Sequence, residues 1–314
     1  MNIHLIEPLS VEQKIIDQYE HSLNENGLTL KQWRDRKEDT NSLIERCKDA
    51  DVVILTNIAL NAEVINACPN LKMISVAFTG VDHIDMDACR KKGIVVSNAA
   101  GYSTHSVAEL TIGLMLSALR NMMKNETKTR GLRGRDGYTG TLLRNKTVGI
   151  VGAGAIGQEV GRICNIAFKC NVLYYNRSKK PTDSGTLVPL NELLKQSDIV
   201  TLHLPLNSES KGLIGEEQLA LMKPTSVLIN TARGPVVNTQ ALVQALKKDT
   251  IAHAAIDMYE QEPPLPENHP LLTAPNTTLM PHIAYATHEA FVLRAQIVFE
   301  NIIKWKHGTP QNVQ

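Results

Sequence analysis

The stretch at residues 148–157, VGIVGAGAIG, constrains the fold of this chain most strongly. An apolar run leads into Gly152, Gly154 and Gly157, which are spaced G-x-G-x-x-G and precede a helix-permissive segment. In such a turn the first glycine allows a sharp bend, the second lets a pyrophosphate approach the main chain, and the third lets the helix pack against the strand. The N–H groups at the helix start then bind the phosphates. With a second apolar run at 171–175, the pattern predicts a dinucleotide-binding βαβ unit.

Short apolar runs alternate with helix-permissive segments along the chain. The candidate strands of the first hundred residues are 3–6, 52–56, 73–77 and 94–97. The candidate strands after residue 146 are 147–151, 171–175, 199–202, 226–230, 251–256 and 278–280. This alternation is typical of α/β proteins with doubly wound parallel sheets. We therefore predict two α/β domains, one formed by residues 1–100 and 285–314, and the other, which binds the dinucleotide, by residues 101–284.

The composition excludes several classes of protein. The formal net charge is +1 over 314 residues, so no general attraction to nucleic acid or to an anionic membrane is expected. The five cysteines are scattered and never spaced C-x-x-C, which argues against a disulfide framework or a zinc site and suits the reducing cytosol. The chain shows neither a signal peptide nor an apolar run of about 18 residues. These features predict a cytoplasmic protein with no metal, nucleic-acid or membrane partner.

Two segments carry a prediction about assembly. Residues 105–121 have apolar side chains at helical spacing and predict an amphipathic helix. Residues 125–145 are polar, glycine-bearing and basic, which is typical of a solvated loop. We predict a homodimer in which the helix buries only part of its apolar stripe within its own domain and the loop clasps the second subunit. A last helix is predicted at 288–305, returning to the first domain.

The second strand of the βαβ unit ends in Asn176, Arg177 and Ser178, followed by Lys179 and Lys180. Proteins that bind NAD carry an acidic residue about twenty positions after the glycines, where it binds the ribose 2′-hydroxyl. Asn176 stands at that distance, and no carboxylate is present there. A guanidinium can bind a 2′-phosphate through paired charge-assisted hydrogen bonds, and the missing carboxylate removes a repulsion. The turn therefore favours NADP (NADPH) as the cofactor, with NAD as the alternative.

Three polar residues form a candidate acid–base site. Arg233, Glu262 and His282 each follow the carboxyl end of a predicted strand, where open α/β sheets bind their ligands. A histidine can deliver a proton near neutral pH, and a carboxylate beside it favours the imidazolium. An arginine can hold a substrate carboxylate through two hydrogen bonds. On these grounds alone, Glu260 competes with Glu262 for the carboxylate role.

Several stretches together resemble the D-isomer-specific 2-hydroxyacid dehydrogenases, most clearly between Leu71 and Ala286. The matching stretches are FTGVDHID at 78–85, SVAE at 106–109, the glycine motif at 152–157, LHLPL at 202–206, NTARG at 230–234, DMYEQEP at 257–263 and PHIA at 281–284. Together these motifs are far more specific than the glycine motif alone.

The resemblance implies a role for each candidate residue. His282 is similar to the family's catalytic acid and base, and Glu262 rather than Glu260 to its carboxylate partner. Arg233 is similar to the arginine that binds the substrate and polarises its carbonyl group. Asp257 is similar to the aspartate that contacts the nicotinamide amide. With the glycine turn and the turn after it, the expected cofactor contacts are Thr79, Gly152, Gly154, Ala155, Ile156, Gly157, Asn176, Arg177, Ser178, His203, Leu204, Pro205, Thr231, Ala232, Arg233, Asp257, His282 and Ala284. The expected substrate contacts are Phe78, Thr79, Gly80, Val81, Tyr102, Arg233 and His282.

The resemblance also implies a fold and an activity. The fold is a Rossmann cofactor domain inserted in a flavodoxin-like substrate domain, with the catalytic residues in the cleft between them and a homodimer as the assembly. The activity is reduction of a small 2-oxo acid to the D-2-hydroxy acid by hydride transfer from NAD(P)H, with glyoxylate or hydroxypyruvate favoured. The alternatives are D-lactate or D-3-phosphoglycerate dehydrogenase activity, and a nicotinamide-sensing binding protein similar to the family's corepressors.

Overall fold

The computed structural model describes residues 1–178 and 182–314. The strands are β1 (Asn2–Leu5), β2 (Thr29–Gln32), β3 (Val52–Leu55), β4 (Met73–Val76), β5 (Val95–Ser97), β6 (Thr147–Val151), β7 (Asn171–Tyr175), β8 (Thr186–Leu187), β9 (Ile199–Leu202), β10 (Val227–Asn230), β11 (His253–Ile256) and β12 (Thr277–Leu279). The helices are α1 (Gln13–Glu25), α2 (Thr40–Cys47), α3 (Ala62–Asn66), α4 (Met86–Lys92), α5 (Thr104–Arg120), α6 (Met122–Arg130), α7 (Ala155–Phe168), α8 (Leu190–Gln196), α9 (Glu216–Leu221), α10 (Thr239–Lys247) and α11 (His288–Lys306). By their internal contacts these elements form a first unit, Met1–Ser103 with Ala286–Gln314, and a second unit, Thr104–Tyr285.

The first unit is a five-stranded parallel sheet in the order β2-β1-β3-β4-β5. This is the order of the flavodoxin-like doubly wound fold. The helix α11 packs against β4 and α1, and the buried Ser75 hydroxyl donates a 3.0 Å hydrogen bond to the carbonyl of Val298. Strand β2 was absent from the predicted strands because Leu30 is its only buried residue, so TLKQ shows no apolar run.

The second unit is a seven-stranded parallel sheet in the order β12-β11-β10-β9-β6-β7-β8. From β8 to β11 this is the Rossmann order, which reverses between β6 and β9. Strands β9, β10 and β11 are buried along their whole length, as expected where helices cover both faces of a parallel sheet. The two residues of β8 are too few to give a sequence signal, and this strand was not predicted. The predicted fold class, two parallel-sheet α/β domains with a Rossmann domain, is confirmed.

Two predictions about residues 105–145 need correction. The apolar stripe of α5 is almost entirely buried within the second unit, where the helix packs against α7 and β10, so it leaves little surface for a partner. Residues 122–130, placed mostly in a solvated loop, form the helix α6, and none of its side chains is buried. Its sequence, MMKNETKTR, has no apolar periodicity but is rich in good helix formers, and Arg130 pairs with Glu126 one turn away.

Within the two described ranges, no helix combines the length and the apolar character needed to cross a membrane.

A buried histidine lies in the second unit at the start of β11. His253 is 7% exposed, and its Nε2 atom lies 3.0 Å from the hydroxyl of Thr278 on the neighbouring strand β12. Burial lowers the pKa of His253 to about 4, because the charged imidazolium would lose its hydration.

We therefore expect acid to destabilise the folded protein through His253. Because its pKa is lower in the folded state than the ordinary 6.5, the unfolded chain binds the proton more readily, and the free energy of unfolding falls as the pH drops below 6.5 towards 4. The loss at pH 5 should be about 2 kcal/mol relative to neutral pH. In urea unfolding, His253→Gln, which can still pair with Thr278, should remove that part of the pH dependence. The same dependence in parent and variant would contradict the assignment.

Candidate active site

The predicted site residues of the second unit lie at one edge of its sheet. Gly152 follows β6, His203 follows β9 and Arg233 lies just beyond β10, each at the carboxyl end of its strand. Glu262 comes after β11 and His282 after β12. Because parallel strands end at a common edge, the fold places these residues where open α/β sheets bind ligands.

The glycine turn after β6 is closely packed at two positions and open at a third. Gly152 has a φ of +110°, and a Cβ atom there would lie 2.3 Å from the carbonyl oxygen of His203. A Cβ atom on Gly157 would lie 2.1 Å from the carbonyl oxygen of Gly152. At Gly154, by contrast, a Cβ atom would meet no heavy atom within 4 Å. The turn therefore leaves open space at the glycine that is predicted to face a pyrophosphate, next to the start of the 14-residue helix α7.

The side chain of Asn176, which follows β7, forms hydrogen bonds both with the glycine turn and within its own turn. Its Oδ1 atom accepts a 3.2 Å hydrogen bond from the N–H of Ala153. Its Nδ2 atom donates to the carbonyl of Ser178 at 2.8 Å and to the Ser178 hydroxyl at 3.2 Å. Lys179 and Lys180, which follow Ser178 in the sequence, lie outside the described residues. Where an NAD-binding carboxylate is expected, the chain therefore has an amide engaged with its own turn.

Arg177 forms an ion pair with Glu209, which the sequence did not predict. Glu209 lies in the turn after β9, where the Oδ1 atom of Asn207 accepts 3.0 Å hydrogen bonds from the N–H groups of Glu209 and Ser210. The side chains of Arg177 and Glu209 are 76% and 61% exposed, so the pair is worth at most about 1 kcal/mol. A 2′-phosphate at Arg177 would therefore compete with a weak contact.

His282 and Glu262 form a hydrogen-bonded pair. The Nδ1 atom of His282 lies 2.7 Å from the Oε2 atom of Glu262. The His282 side chain is 8% exposed, whereas that of Glu262 is 56% exposed. The ring of Tyr285 meets the imidazole edge to face, with 4.9 Å between ring centres. Glu260 instead contacts Thr239 and, at 3.4 Å, His269. The carboxylate that the fold brings to His282 is therefore Glu262.

Arg233 begins a 3₁₀ turn, Gly234–Val236, directly after β10. The side chain of Asn230, 1% exposed, holds the main chain here: its Oδ1 atom accepts from the N–H of Ala232 at 3.1 Å, and its Nδ2 atom donates to the carbonyl of Arg233 at 3.0 Å. A Cβ atom on Gly234 would lie 1.9 Å from the carbonyl carbon of Tyr259, so only glycine permits this close approach. Asn230 belongs to the NTARG motif at 230–234, but sequence reasoning did not predict that its side chain would hold the Arg233 turn.

Asp257 is fully buried directly after β11. Its two carboxylate oxygens accept hydrogen bonds from the N–H groups of Ile283 at 2.8 Å and Ala284 at 2.9 Å. Burial raises the pKa of Asp257, and these two hydrogen bonds oppose that shift. The resemblance predicts that Asp257 contacts a nicotinamide amide. The structure adds contacts with the main-chain segment that follows His282.

The predicted substrate loop at residues 78–81 lies in the first unit, after β4. The Nδ2 atom of Asn98 donates a 2.7 Å hydrogen bond to the carbonyl of Thr79, and the N–H of Ala99 donates to the carbonyl of Phe78 at 3.0 Å. The Phe78 ring is buried and lies 6.3 Å from the ring of Tyr102, which is also buried. Gly80 and Val81 are partly exposed. That their N–H groups donate hydrogen bonds to the substrate carboxylate therefore stays a prediction.

No group of three or more His, Cys, Asp or Glu side chains is arranged to hold a metal ion in the part of the chain that the structure describes.

Comparison with known proteins identifies the family. Residues 112–284 match the family model described as D-isomer specific 2-hydroxyacid dehydrogenase, NAD binding domain. A glyoxylate reductase of Thermofilum pendens is 43% identical over 284 residues, which are 87% of this chain and 82% of that protein. A D-3-phosphoglycerate dehydrogenase of Archaeoglobus fulgidus is 38% identical over 99% of this chain but only 58% of its own length. The solved structure of a glyoxylate reductase from Paecilomyes thermophila matches with a TM-score of 0.89 at 32% identity, covering 100% of this chain and 98% of that one. The chain therefore belongs to the D-isomer-specific 2-hydroxyacid dehydrogenase family.

Proposed function

We propose that this NAD(P)-dependent oxidoreductase reduces glyoxylate or hydroxypyruvate to the 2-hydroxy acid, of D configuration where C2 is chiral, with NADPH as the preferred cofactor. The observation that carries the proposal is the hydrogen bond between His282 and Glu262 at the sheet edge that also bears the glycine turn. The similarity to the Thermofilum pendens glyoxylate reductase supports the substrate class. We assign the cofactor to the second unit and the substrate carboxylate loop to the first.

The second unit has the features that a dinucleotide needs. The open space at Gly154 and the N–H groups at the start of α7 suit a pyrophosphate. The turn at Asn176 and Arg177 suits an adenosine ribose that carries a 2′-phosphate. When bound, the nicotinamide supplies the hydride that reduces C2 of the substrate.

Three side chains carry out the remaining chemistry in the proposed reaction. The protonated imidazole of His282 donates its Nε2 proton to the carbonyl oxygen of the substrate. Glu262, hydrogen-bonded to Nδ1, fixes the orientation of the ring and favours its protonated form. Arg233 binds the substrate carboxylate through two charge-assisted hydrogen bonds. The exposure of Glu262 gives the pair access to water, from which the imidazole regains its proton.

The proposed substrate is tested by initial rates on glyoxylate, hydroxypyruvate, pyruvate and phosphohydroxypyruvate, each with NADH and NADPH. We expect the highest kcat/KM for glyoxylate or hydroxypyruvate with NADPH. The Archaeoglobus fulgidus relative makes phosphohydroxypyruvate the second candidate. A highest rate on that substrate or on pyruvate would replace the proposed activity, and tight cofactor binding without turnover would favour a binding protein.

Glu262→Gln is expected to move the alkaline limb of the reduction rate to lower pH. The loss of the carboxylate charge makes the protonated imidazole less favourable, so the proton donor is lost at a lower pH. The measurement is the pH profile of kcat with saturating NADPH. Glu260→Gln is the matched control, because Glu260 contacts Thr239 and His269 instead. A shift in the Glu260→Gln profile with none in Glu262→Gln would exchange the two roles.

A homodimer is part of the proposal, and α6 with the turn after it is its proposed interface. Met122 and Met123 are about half exposed, Leu132 is 97% exposed and Leu142 is 69% exposed. Met122 and Leu142 also line a groove of about 830 Å³. Exposed apolar side chains at this density are typical of a surface that binds a partner.

Light scattering at micromolar concentration is expected to give twice the 34.6 kDa mass of one chain. The double change Leu132→Glu with Leu142→Glu should halve that mass, because it places charges in the proposed interface. Leu272→Glu, at another exposed leucine of the second unit, should leave the mass unchanged. A monomeric parent protein would overturn the proposed assembly.

A further inference from the structure

We infer that Asp257 is a positioning residue for His282, because its carboxylate holds the main-chain turn that carries the imidazole. The inference rests on the proposed role of His282 as the proton donor. It concerns the chain's own hydrogen bonds and is separate from any contact of Asp257 with a nicotinamide amide.

The turn at His282 has a main-chain conformation that needs support. The φ of His282 is +56°, in the left-handed region that residues other than glycine rarely adopt. Such conformations persist where the surrounding structure fixes them, and they are concentrated at functional sites. The two N–H groups that follow His282, those of Ile283 and Ala284, both donate to the carboxylate of Asp257. The hydrogen bonds that hold this conformation therefore come from a side chain 26 and 27 residues away.

Asp257 is itself held rigidly. Its N–H donates a 2.9 Å hydrogen bond to the carbonyl of Asn230, which continues the pairing of β11 with β10. The N–H of Met280 donates to the carbonyl of Ile256 at 2.8 Å, and the hydroxyl of Tyr259 donates to the carbonyl of Met280 at 3.0 Å. Hydrogen bonds before and after His282 thus tie its turn to the end of β11.

Asn230, at the end of the neighbouring strand β10, holds the turn that carries Arg233 in the same way. Its side chain bonds to the main chain of the Arg233 turn, and its carbonyl accepts from Asp257. Two buried polar side chains at adjacent strand ends therefore hold the turns that carry the proposed proton donor and the proposed substrate-binding arginine. A network of this kind is rigid only if every member is hydrogen-bonded, which is the case here.

The pH profile of kcat can separate two effects of changing Asp257: the loss of its charge near His282 and the loss of the position of the imidazole. Glu262 contacts the imidazole through the hydrogen bond, and the Asp257 carboxylate lies close enough to interact with it electrostatically. Loss of the Asp257 charge alone would move the alkaline limb of the kcat profile and leave the acid plateau, where the imidazole is protonated, unchanged. Loss of position would lower the plateau itself, because proton donation then occurs from a misplaced ring.

Asp257→Asn is the test, because asparagine has the same shape but only one oxygen, so one of the two N–H groups loses its acceptor. We expect the acid plateau of kcat to fall about tenfold to a hundredfold. The KM for the 2-oxo acid should stay close to that of the parent, and the Kd for NADPH, measured by fluorescence titration, shows separately any loss of the expected contact with the nicotinamide amide. Asp198→Asn is the matched control: Asp198 accepts a 2.9 Å hydrogen bond from the N–H of Thr147, but it precedes β9 and so lies at the other edge of the sheet. Its plateau should not change.

An unchanged plateau in a folded Asp257→Asn protein would overturn the inference, as would a rise in the Kd for NADPH with kcat preserved. If that variant does not fold, amide hydrogen exchange of the parent protein tests whether Asp257 holds the His282 turn. The amides of Ile283 and Ala284 should be strongly protected, although Ile283 as a whole is 41% exposed. Rapid exchange at both amides would overturn the inference. A parent protein without reductase activity would contradict the proposed function, and the exchange measurement would still test the hydrogen bonds.

Discussion

His282→Ala is expected to lower kcat for 2-oxo acid reduction by about 10²–10⁴-fold, which is the usual contribution of general acid catalysis. The change removes the proton donor and leaves the glycine turn and the turn at Asn176 intact. The Kd for NADPH, measured by fluorescence titration, should therefore stay close to that of the parent protein. Alanine also removes the ring that contacts Tyr285 and Glu262, so folding is checked by circular dichroism.

His269→Ala is the matched control for this prediction. His269 is also buried and also contacts a carboxylate, Glu260, at 3.4 Å. Its loss should lower stability because the ring packs edge to face on Tyr259, whereas kcat should stay near that of the parent. Turnover like that of the parent in a folded His282→Ala protein would refute the role proposed for His282.

Strands could be predicted where every residue is buried, because such a strand is a continuous run of mostly apolar residues in the sequence. Strand β3 (VVIL) and strand β10 (VLIN) are buried along their whole length, and both were predicted nearly to their ends. Strand β2 buries one residue and β8 has two residues, so neither has a local signal, and each forms through pairing with a neighbouring strand, β1 or β7. Helix α6 buries nothing, and only helix propensity indicates it.

The sequence indicated which polar residues lie at the carboxyl ends of the strands, but not which contacts they make. The strand ends of an α/β sheet show where ligand-binding side chains stand, and these positions include Arg233, Glu262 and His282. Local sequence left Glu260 and Glu262 equivalent, and only the path of the chain after β11 brings one of them to the imidazole. The bonds from Asp257 to Ile283 and from Arg177 to Glu209 join positions 26 and 32 residues apart, for which sequence patterning has no signal.

The double change Asn176→Asp with Arg177→Ala is expected to reverse the cofactor preference. The parent should prefer NADPH by about tenfold to a hundredfold in kcat/KM, since a bidentate charge-assisted contact contributes about 1.5–3 kcal/mol and each 1.4 kcal/mol is a factor of ten. The aspartate restores an acceptor for the ribose 2′-hydroxyl and repels a 2′-phosphate, while the alanine removes the guanidinium. Arg162→Ala, at an exposed arginine of α7 paired with Glu159, should leave the preference unchanged.

The ion pair of Arg177 with Glu209 adds a second arm to this experiment. Because Glu209 competes with the phosphate for the guanidinium, Glu209→Gln should strengthen the NADPH preference by up to about fivefold, the equivalent of an exposed pair of up to about 1 kcal/mol. Added salt should weaken the NADPH preference of the parent, because it screens the contact between phosphate and guanidinium. The measurements are kcat/KM for both cofactors at two ionic strengths. Equal or better use of NADH by the parent enzyme would show that Arg177 does not bind the phosphate, and it would overturn the proposed cofactor while leaving the proposed hydride transfer in place.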